Sequence, residues 1–378
     1  MVRLTDIIIN EKNNELERER GRKRDSIPPK STIRFRDMPS LEKSGMKPID
    51  TQNPGMDDGI DAQPSMGTKG MVNRVAEKGS TVEGKIERLY ENAYNYTEYI
   101  ASVAVNGEKI NIDEGIRIII KIVDNLDHID ILYSKAIYTK EVFDPFISHP
   151  VNVAIYAIKV GNGLRYNKKQ LVKLGIGALF HDLGMNKIPK EIINRGGELT
   201  KGEFELIKKH PQFGYELLLT LGNEYGWLAE ISLQEHEREG GQGYPRGLKG
   251  DRINEYAKII GIVDIYEALT HSRPQRKRLL PYKAVGEIIE SYRSFFPPKI
   301  VKALVTQLSV FPLHSFVRLN SNAIGKVVKT SINHPLRPTV RILCDSQGRR
   351  IRKRDIIRLQ DFPLLYIKDS LFEEDIFK

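Results

Sequence analysis

Cysteine is almost absent from this chain, since Cys344 is the single one among 378 residues. One cysteine cannot form an intramolecular disulfide, which excludes a disulfide-stapled secreted domain and is typical of a reducing cytoplasm. Cys344 ends a run with Arg341, Ile342 and Leu343 that is typical of a strand, so we interpret it as a small buried hydrophobe. We therefore expect a cytoplasmic protein without disulfides.

Long apolar runs are absent too. No stretch approaches the eighteen or so apolar residues that a membrane span needs, and the amino terminus lacks the apolar core of a signal peptide. With 40% hydrophobic and 29% charged residues, the composition is that of a globular protein. The net charge of +10 favours an anionic partner. Since this charge is diffuse, we do not expect DNA binding.

Apolar periodicity is missing from residues 1–80, which mix Pro, Gly, Ser, Asp and Lys. Such a segment has too little apolar surface to build a core, so we predict that it is disordered or a linker. Helical spacing begins near Val82, and residues 81–139 are predicted to form a helical lead-in. Dimerisation and signal input are two open roles for this lead-in.

Helical spacing continues through residues 140–310, and strand-like runs follow in residues 311–378. The predicted strands are Phe316 to Leu319, Ile324 to Thr330, Thr339 to Asp345 and Ile356 to Leu359. Arginine and lysine are frequent between residues 349 and 358, which we interpret as a solvated strand edge, with a phosphate-binding surface as the alternative. The predicted class is mainly α with a small basic antiparallel β unit at the carboxyl end.

His181 and Asp182 stand side by side in ALFHDLGMNKIP, at the end of an apolar run. Imidazole nitrogen suits Fe, Mn or Zn, and an adjacent carboxylate can bridge two ions. Similar donors recur about every thirty residues in or beside helical segments, namely His149, His181, His210, His236 and Asp264. One donor per helix is how metal sites inside helical bundles are built. The remaining histidines, His128, His271, His314 and His334, are expected in loops or at the surface.

Asp264 lies in the middle of a strongly apolar helix predicted from Tyr256 to Leu269. A carboxylate in such a segment is costly to bury unless it is paired or liganded, so Asp264 is a candidate metal ligand. The loop EGGQGYPRGLKG, residues 239–250, follows His236. Its glycines and proline allow a tight backbone that a ligand can approach closely.

Residues 140–310 resemble the HD-GYP family of metal-dependent phosphohydrolases. The matching features are His149, His181-Asp182, His210-Pro211, the segment EHEREGGQGYPRGLKG with Gly243-Tyr244-Pro245, and DIYEALTHSRPQR at 264–276. The resemblance implies an HD-type helical bundle with a binuclear iron or manganese centre. It also implies hydrolysis of cyclic di-GMP by a cytoplasmic signalling enzyme, for which a homodimer and signalling protein partners are open possibilities.

The same resemblance implies roles for individual residues. One ion would be held by His149, His181, Asp182 and Asp264, and the other by His210, Glu235 and His236, with Asp182 bridging and with His181 and Asp182 as the catalytic pair. Tyr244, Arg273 and Arg276 would bind the substrate, since guanidinium groups suit phosphate.

Several residues depart from the family pattern. Met185 stands where the family commonly has a lysine after His-Asp, and Glu235 replaces the first histidine of a common His-His pair. Gly240 and Gln275 replace an aspartate and a tyrosine, and Pro145 stands where some relatives have a glutamate associated with a third metal. Glu235 can still ligate a hard cation, so we expect the two-metal site to be retained. Pro145 cannot ligate a metal, so two ions are expected rather than three.

Three functions are compatible with these residues. The first is a cyclic di-GMP phosphodiesterase that yields pGpG or GMP. The second is a receptor or interaction module that binds cyclic di-GMP with little turnover, which Met185 and Gly240 favour. The third is a phosphohydrolase of another nucleotide.

Overall fold

Helices make up most of the residues that the structure describes, and the described strands lie in the carboxyl-terminal part. The computed structural model describes residues 81–138, 143–193, 199–272, 277–331, 334–351 and 355–376. The segment 1–80, predicted to be disordered or a linker, lies outside the described residues, as do Arg273 and Arg276. The mainly α class predicted from the sequence is confirmed.

The described residues form twelve α-helices and five strands. The helices are α1 (Val82–Asn106), α2 (Ile112–Val123), α3 (Ile129–Ile137), α4 (Pro145–Gly163), α5 (Lys168–Phe180), α6 (Lys190–Ile193), α7 (Lys201–Ile207), α8 (His210–Leu219), α9 (Gly226–Gln234), α10 (Glu255–Thr270), α11 (Pro281–Glu287) and α12 (Pro298–Gln307). The strands are β1 (Phe316–Leu319), β2 (Ile324–Lys329), β3 (Thr339–Cys344), β4 (Ile356–Arg358) and β5 (Ile367–Leu371). Among the described residues, no helix has the length and apolar character needed to cross a membrane.

Helix α4 is the centre of the helical part. The Asp144 carboxylate caps its first turn by accepting a 2.8 Å hydrogen bond from the Phe146 N–H, and Pro145 begins the helix. Every residue from Ile147 to Gly161 is buried, as expected for a helix surrounded by others. Helices α1, α3, α5, α10 and α12 pack around it. His149, near the start of α4, therefore lies inside the protein.

The predicted lead-in contributes to the same core. One continuous cluster of buried apolar side chains extends from Ile86 in α1 to Leu308 just after α12. The Tyr90 hydroxyl in α1 donates a buried 2.8 Å hydrogen bond to the side-chain oxygen of Asn152 in α4. The lead-in helices α1 and α3 thus form part of the wall around α4, next to the residues that carry the predicted chemistry.

The five strands form one antiparallel sheet in the order β4-β3-β2-β1-β5. Four of them match the four predicted strands, with differences of one residue at the carboxyl ends of β2, β3 and β4. The prediction missed β5, because its sequence IKDSL is apolar only at its two ends and has little alternation. Cys344, at the end of β3, is free and buried, as the sequence predicts.

An ion pair between two helices also contacts the end of strand β2. Lys159 in α4 is only 6% exposed and pairs with Oδ1 of Asp130 in α3. The hydroxyl of Thr330, just after β2, donates a 2.6 Å hydrogen bond to Oδ2 of Asp130. Burial alone would raise the pKa of Asp130, but the Lys159 charge and the two hydrogen bonds hold it below its ordinary value. Asp130 therefore links α3, α4 and the sheet.

Candidate metal centre

Histidine, aspartate and glutamate side chains meet in the middle of the helical part and form two groups. Within each group, one donor atom from each residue lies within 4.8 Å of the others. The first group is His149, His181 and Asp264, and the second group is Asp182, His210, Glu235 and His236. Six of the seven are buried and Asp182 is partly exposed. The structure thus brings together all seven residues that the sequence predicts as metal ligands.

Most of these side chains are positioned by helix ends. His181 and Asp182 follow α5, His210 begins α8, Glu235 and His236 follow α9, and His149 and Asp264 lie inside α4 and α10. The backbone departs from the helical path at Asp182, where ψ reaches 13° and a 3-10 turn begins. This change of direction lets two residues that are adjacent in sequence belong to different groups.

Two glycines permit close contact between the segments that carry the donors. A Cβ on Gly184 would lie 1.9 Å from the carbonyl oxygen of His210, and one on Gly243 would lie 2.3 Å from that of His236. These distances are far below van der Waals contact, so a larger residue would displace the backbone that carries a predicted ligand. The glycine of His-Asp-Leu-Gly and the first residue of Gly-Tyr-Pro therefore set the spacing around the site.

Three of the four histidines direct Nε2 into the site because a fixed acceptor occupies Nδ1. The acceptors are Glu267 Oε2 at 2.7 Å for His149, the Ala178 carbonyl at 2.7 Å for His181, and the Ile207 carbonyl at 2.8 Å for His210. A carbonyl or carboxylate acceptor requires the proton on Nδ1, which makes Nε2 the nitrogen that can bind a metal.

Distances between the donor atoms match those around one transition-metal ion. Two donors about 2.1 Å from an ion lie about 3.0 Å apart at a right angle and about 3.4 Å apart at the tetrahedral angle. In the first group, His149 Nε2 lies 3.3 Å from His181 Nε2 and 3.2 Å from Asp264 Oδ1. In the second group, His210 Nε2 lies 3.0 Å from His236 Nε2. Each group therefore has the donors and spacing to bind a metal ion.

Asp182 lies between the two groups. Its Oδ1 is 3.2 Å from His210 Nε2, whereas its Oδ2 is 3.6 Å from His149 Nε2 and 3.8 Å from His181 Nε2. One carboxylate oxygen thus faces each group, which is the arrangement of a carboxylate shared by two ions.

The charges in the site act strongly on one another. Burial alone would lower the pKa of His210, but the nearby carboxylates of Asp182 and Glu235 raise it to about 10. Burial raises the pKa of Glu235 to about 6, against the opposing charges of the neighbouring histidines. Burial and the positive charges of His210 and Arg238 lower the pKa of His236 well below its ordinary value. A bound cation would take the place of the protons that these groups share.

Tyr244, predicted to bind substrate, contacts a predicted metal ligand. Its ring stacks on that of His236 with centroids 4.7 Å apart and an angle of 16° between the planes. Its hydroxyl is buried and has no hydrogen-bond partner among the described residues. The stacking restricts the orientation of the His236 ring, while the predicted contact of Tyr244 with substrate stays a prediction.

The sequence analysis missed the residues that support His149. Glu267 is 1% exposed, and its Oε1 accepts a 3.1 Å hydrogen bond from the Asn152 amide. It lies three residues after Asp264 in the same apolar helix, so the argument that identified Asp264 could have found it.

His271 lies in the bend directly after α10, outside the helices as expected, but it is largely buried. The His271 side chain is only 15% exposed, with Nε2 2.9 Å from the Ala136 carbonyl oxygen and Nδ1 3.3 Å from Glu267 Oε1. These partners lie in α3 and α10, and a contact 135 residues away leaves no local pattern in the sequence. His314 and His334 are exposed outside helices and strands, as expected, and His128 is partly buried in a 3-10 turn.

A cavity of about 400 Å³ lies between α1, the start of α4 and the turn after Asp182. Its walls include Ser102 and Asn106 from α1 together with Met185 and Lys190. A smaller pocket shares four of its lining residues and reaches Asp182; the shared residues are Ala101, Phe146, Ile147 and Asn186. The space beside Asp182 thus continues along α1.

Two family models match the chain. The HD domain model matches residues 136–300, and the model of a KOW domain associated with HD domain matches residues 316–378. The first match contains all seven predicted metal ligands, and the second covers the five-stranded sheet.

The chain is also similar to named phosphodiesterases. It is 30% identical to a cyclic di-GMP phosphodiesterase of Pseudomonas aeruginosa over 201 residues, which are 53% of this chain and 48% of that protein. It is 30% identical to cyclic di-GMP phosphodiesterase PdeB of Borreliella burgdorferi over 217 residues, 57% of either chain. It is 29% identical to 3'3'-cGAMP-specific phosphodiesterase 3 of Vibrio cholerae over 164 residues, 43% of this chain and 35% of that protein.

The chain therefore spans about half the length of the first two relatives and about a third of the third. The HD domain model, the similarity to named phosphodiesterases and the His-Asp and Gly-Tyr-Pro motifs all concern the same part of the chain. Residues 136–300 thus match the HD domain family, and in these motifs they are similar to the HD-GYP phosphohydrolases.

Proposed function

We propose that this chain is a metal-dependent phosphodiesterase that hydrolyses cyclic di-GMP to pGpG or GMP in bacterial signalling. The observation that carries the proposal is the position of Asp182, which directs one oxygen toward each of two groups of metal donors. Enzymes that cleave phosphodiesters commonly use two ions about 3.5–4 Å apart that share such a ligand. The relatives named cyclic di-GMP phosphodiesterases support this substrate.

The donors present fit two ions. His149, His181 and Asp264 would hold one and His210, Glu235 and His236 the other, with Asp182 shared. Iron and manganese are the proposed metals, because imidazole and carboxylate donors suit both. When bound, such ions supply positive charge for the phosphate oxygens and lower the pKa of a water nucleophile.

Two of the protein's own residues would orient a metal ligand and mark the open side of the site. His181 is held by its carbonyl partner with Nε2 directed at the centre, and Asp182 is the partly exposed donor that the smaller pocket reaches. We propose that this pair marks the place of the scissile phosphate. Arg273 and Arg276, the predicted phosphate contacts, lie outside the described residues.

The cavity beside Asp182 supports a nucleotide ligand. Small-molecule sites are concave and largely apolar, with a few polar groups that set orientation, and volumes start near 300 Å³. Here Phe146 and Ile147 provide apolar wall, while Asn186 and the exposed Lys190 provide polar groups near the pocket that reaches Asp182. We propose that part of the cyclic dinucleotide occupies this cavity.

Two observations favour the other candidate functions. Met185 is 2% exposed and packs in an apolar cluster with Ile188 and Ile207. It offers phosphate no charge at the position where the family pattern has a lysine. This favours a receptor with low turnover. The relative named for 3'3'-cGAMP favours a different cyclic dinucleotide as substrate.

Product analysis tests the proposal. The full chain is purified anaerobically, loaded with iron or manganese, and incubated in parallel with cyclic di-GMP and 3'3'-cGAMP, and the products are separated by chromatography. We expect pGpG or GMP from cyclic di-GMP, and no product from Asp182→Ala. Binding of cyclic di-GMP without product identifies a receptor, and product from 3'3'-cGAMP alone would reassign the substrate. The cytoplasmic location, the homodimer and the protein partners stay predictions.

A further inference from the structure

Glu235 is the one predicted ligand at which this chain replaces a nitrogen donor by a carboxylate. It follows α9 directly, and its side chain is fully buried. Neither carboxylate oxygen has a hydrogen-bond partner among the described residues. Burial of a carboxylate without hydrogen bonds is costly, so such a group requires a positive charge close to its oxygens.

The two oxygens of Glu235 face different groups. Oε2 lies 3.6 Å from His181 Nε2, which belongs to the first group. Oε1 lies 3.5 Å from His210 Nε2 and 3.7 Å from His236 Nε2, which belong to the second. These distances resemble those of Asp182, whose oxygens lie 3.2 Å from His210 Nε2 and 3.6 Å from His149 Nε2. Glu235 thus repeats the arrangement of the shared carboxylate.

A neighbouring carboxylate shows the contrast. Glu237 is also 1% exposed, but its two oxygens accept hydrogen bonds of 2.7 and 2.8 Å from the backbone N–H groups of Arg246 and Leu248. Its charge is therefore satisfied by the loop that follows. Glu237, only two residues after Glu235, is thus a buried carboxylate with backbone hydrogen-bond partners. The oxygens of Glu235 are directed only at histidine nitrogens.

We propose that Glu235 is a second bridging carboxylate, so that two metal ions in this centre share both Asp182 and Glu235. This inference rests on the proposed binuclear centre and adds a role that a histidine at this position cannot have, because one imidazole Nε2 binds one ion. The consequence is a second negative charge between the ions, which offsets more of their mutual repulsion. Removal of Glu235 then lowers the affinity for both ions, whereas removal of a ligand that belongs to one group lowers mainly the affinity for the ion of that group.

Metal titration of the full chain tests this role without use of activity. Metal-free protein is titrated with Mn²⁺ by calorimetry, and the bound ions are counted by elemental analysis. Two reference variants each remove a ligand of one group. Asp264→Asn removes a ligand of the first group, and His236→Gln removes a ligand of the second group. We expect Glu235→Gln to weaken both binding steps by about ten-fold or more, a usual size for loss of a group that supports a metal site. The exposed Glu224→Gln controls for charge and should leave both steps unchanged.

Glu235→His provides the second variant. It restores a nitrogen donor to the second group, so we expect metal binding at the second group to recover and metal binding at the first group to stay weakened. The bridging role would be overturned if Glu235→His recovered both metal-binding steps. It would also be overturned if Glu235→Gln weakened only one binding step, as expected for His236→Gln. If wild-type protein binds fewer than two ions, the binuclear centre itself is wrong, and that outcome is separate from the behaviour of Glu235.

Folding does not obscure the result. Glu235→Gln keeps the size of the side chain, and circular dichroism and thermal melting of the metal-free proteins show whether the variant folds. Each protein is then compared with its own metal-free form, and the rise in melting temperature on addition of Mn²⁺ should be smaller for the variant, since stabilisation by a ligand increases with its affinity. An equal rise for both proteins would also count against the proposal.

Discussion

His149 Nδ1 donates a 2.7 Å hydrogen bond to Glu267 Oε2, and both side chains are buried. The bond fixes the imidazole so that Nε2 faces His181 and Asp264. Oε1 of the same carboxylate accepts from the Asn152 amide, which itself is bonded to Tyr90 of α1. A carboxylate behind a histidine ligand fixes its tautomer and raises its basicity. The first group of donors is thus held by a network that reaches the lead-in helices.

Glu267→Gln tests the importance of this network. The amide keeps the size of the side chain but removes the negative charge that supports His149, so we expect metal affinity to fall by about 10–100-fold. Metal-free and metal-loaded protein are compared by titration with Mn²⁺, with the exposed Glu205→Gln as the control. Unchanged affinity in Glu267→Gln would show that the hydrogen bond positions nothing that the metal requires.

Asn106 tests the proposed contact between α1 and the substrate. Its exposed side chain lines the cavity that continues toward Asp182, and it lies outside the segment matched by the HD model. We expect Asn106→Ala to raise KM for cyclic di-GMP by about ten-fold, which corresponds to about 1.4 kcal/mol for one lost hydrogen bond, without a change in metal content. The exposed Glu98→Ala on the same helix is the control. Equal KM values for both variants would place the substrate elsewhere.

Met185→Lys tests why turnover would be low. Met185 lines the cavity and stands three residues after Asp182, so a lysine there could direct its ammonium group into the cavity toward a bound phosphate. A charge-assisted contact that strengthens as negative charge develops contributes roughly 1.5–3 kcal/mol, or about ten-fold or more in rate. We expect higher kcat with unchanged metal content, and no rise in Met185→Leu. An unchanged rate in the lysine variant would remove the main argument for a low-turnover receptor.

The convergence of the seven candidate metal ligands is the feature that the sequence predicted most fully. Buried polar residues in apolar helices, such as Asp264, are conspicuous because burial of an unpaired charge is costly. Histidines spaced one per helix converge when the helices form a bundle, and His149 and His210 lie in the two groups for this reason.

Contacts across long stretches of sequence could not be predicted in the same way. The role of α1 as a wall of the cavity depends on packing between Asn106 and the region of Met185, about eighty residues apart, and leaves no periodic signal. The same holds for His271, whose partner Ala136 is 135 residues away. Strand β5 pairs with β1 although its own sequence alternates weakly, so tertiary context determined its structure.

Asp130→Asn tests how the sheet is attached. Asp130 has a depressed pKa in the folded protein, so its contribution to stability is present above the unfolded value near 3.9 and is lost as the pH falls through the folded value. We expect the variant to lower the free energy of unfolding by about 1–2 kcal/mol at pH 7, because the buried Lys159 loses its charged partner while the partly exposed position of Asp130 reduces the effect. The difference from wild type should shrink at pH 3. Denaturant unfolding at both pH values measures it, and a difference that grows on acidification would contradict this account.

The central claim is a binuclear centre built around Asp182, and the number of metal ions bound by wild type and by Asp182→Ala tests it most directly. Both proteins are reconstituted anaerobically with iron or manganese, freed of excess metal and analysed for metal per chain, with folding checked by circular dichroism. The account predicts about two ions in wild type and reduced occupancy of both positions in Asp182→Ala, because the shared carboxylate ligates each ion. Fewer than half an ion in wild type, or two ions retained in folded Asp182→Ala, would contradict it.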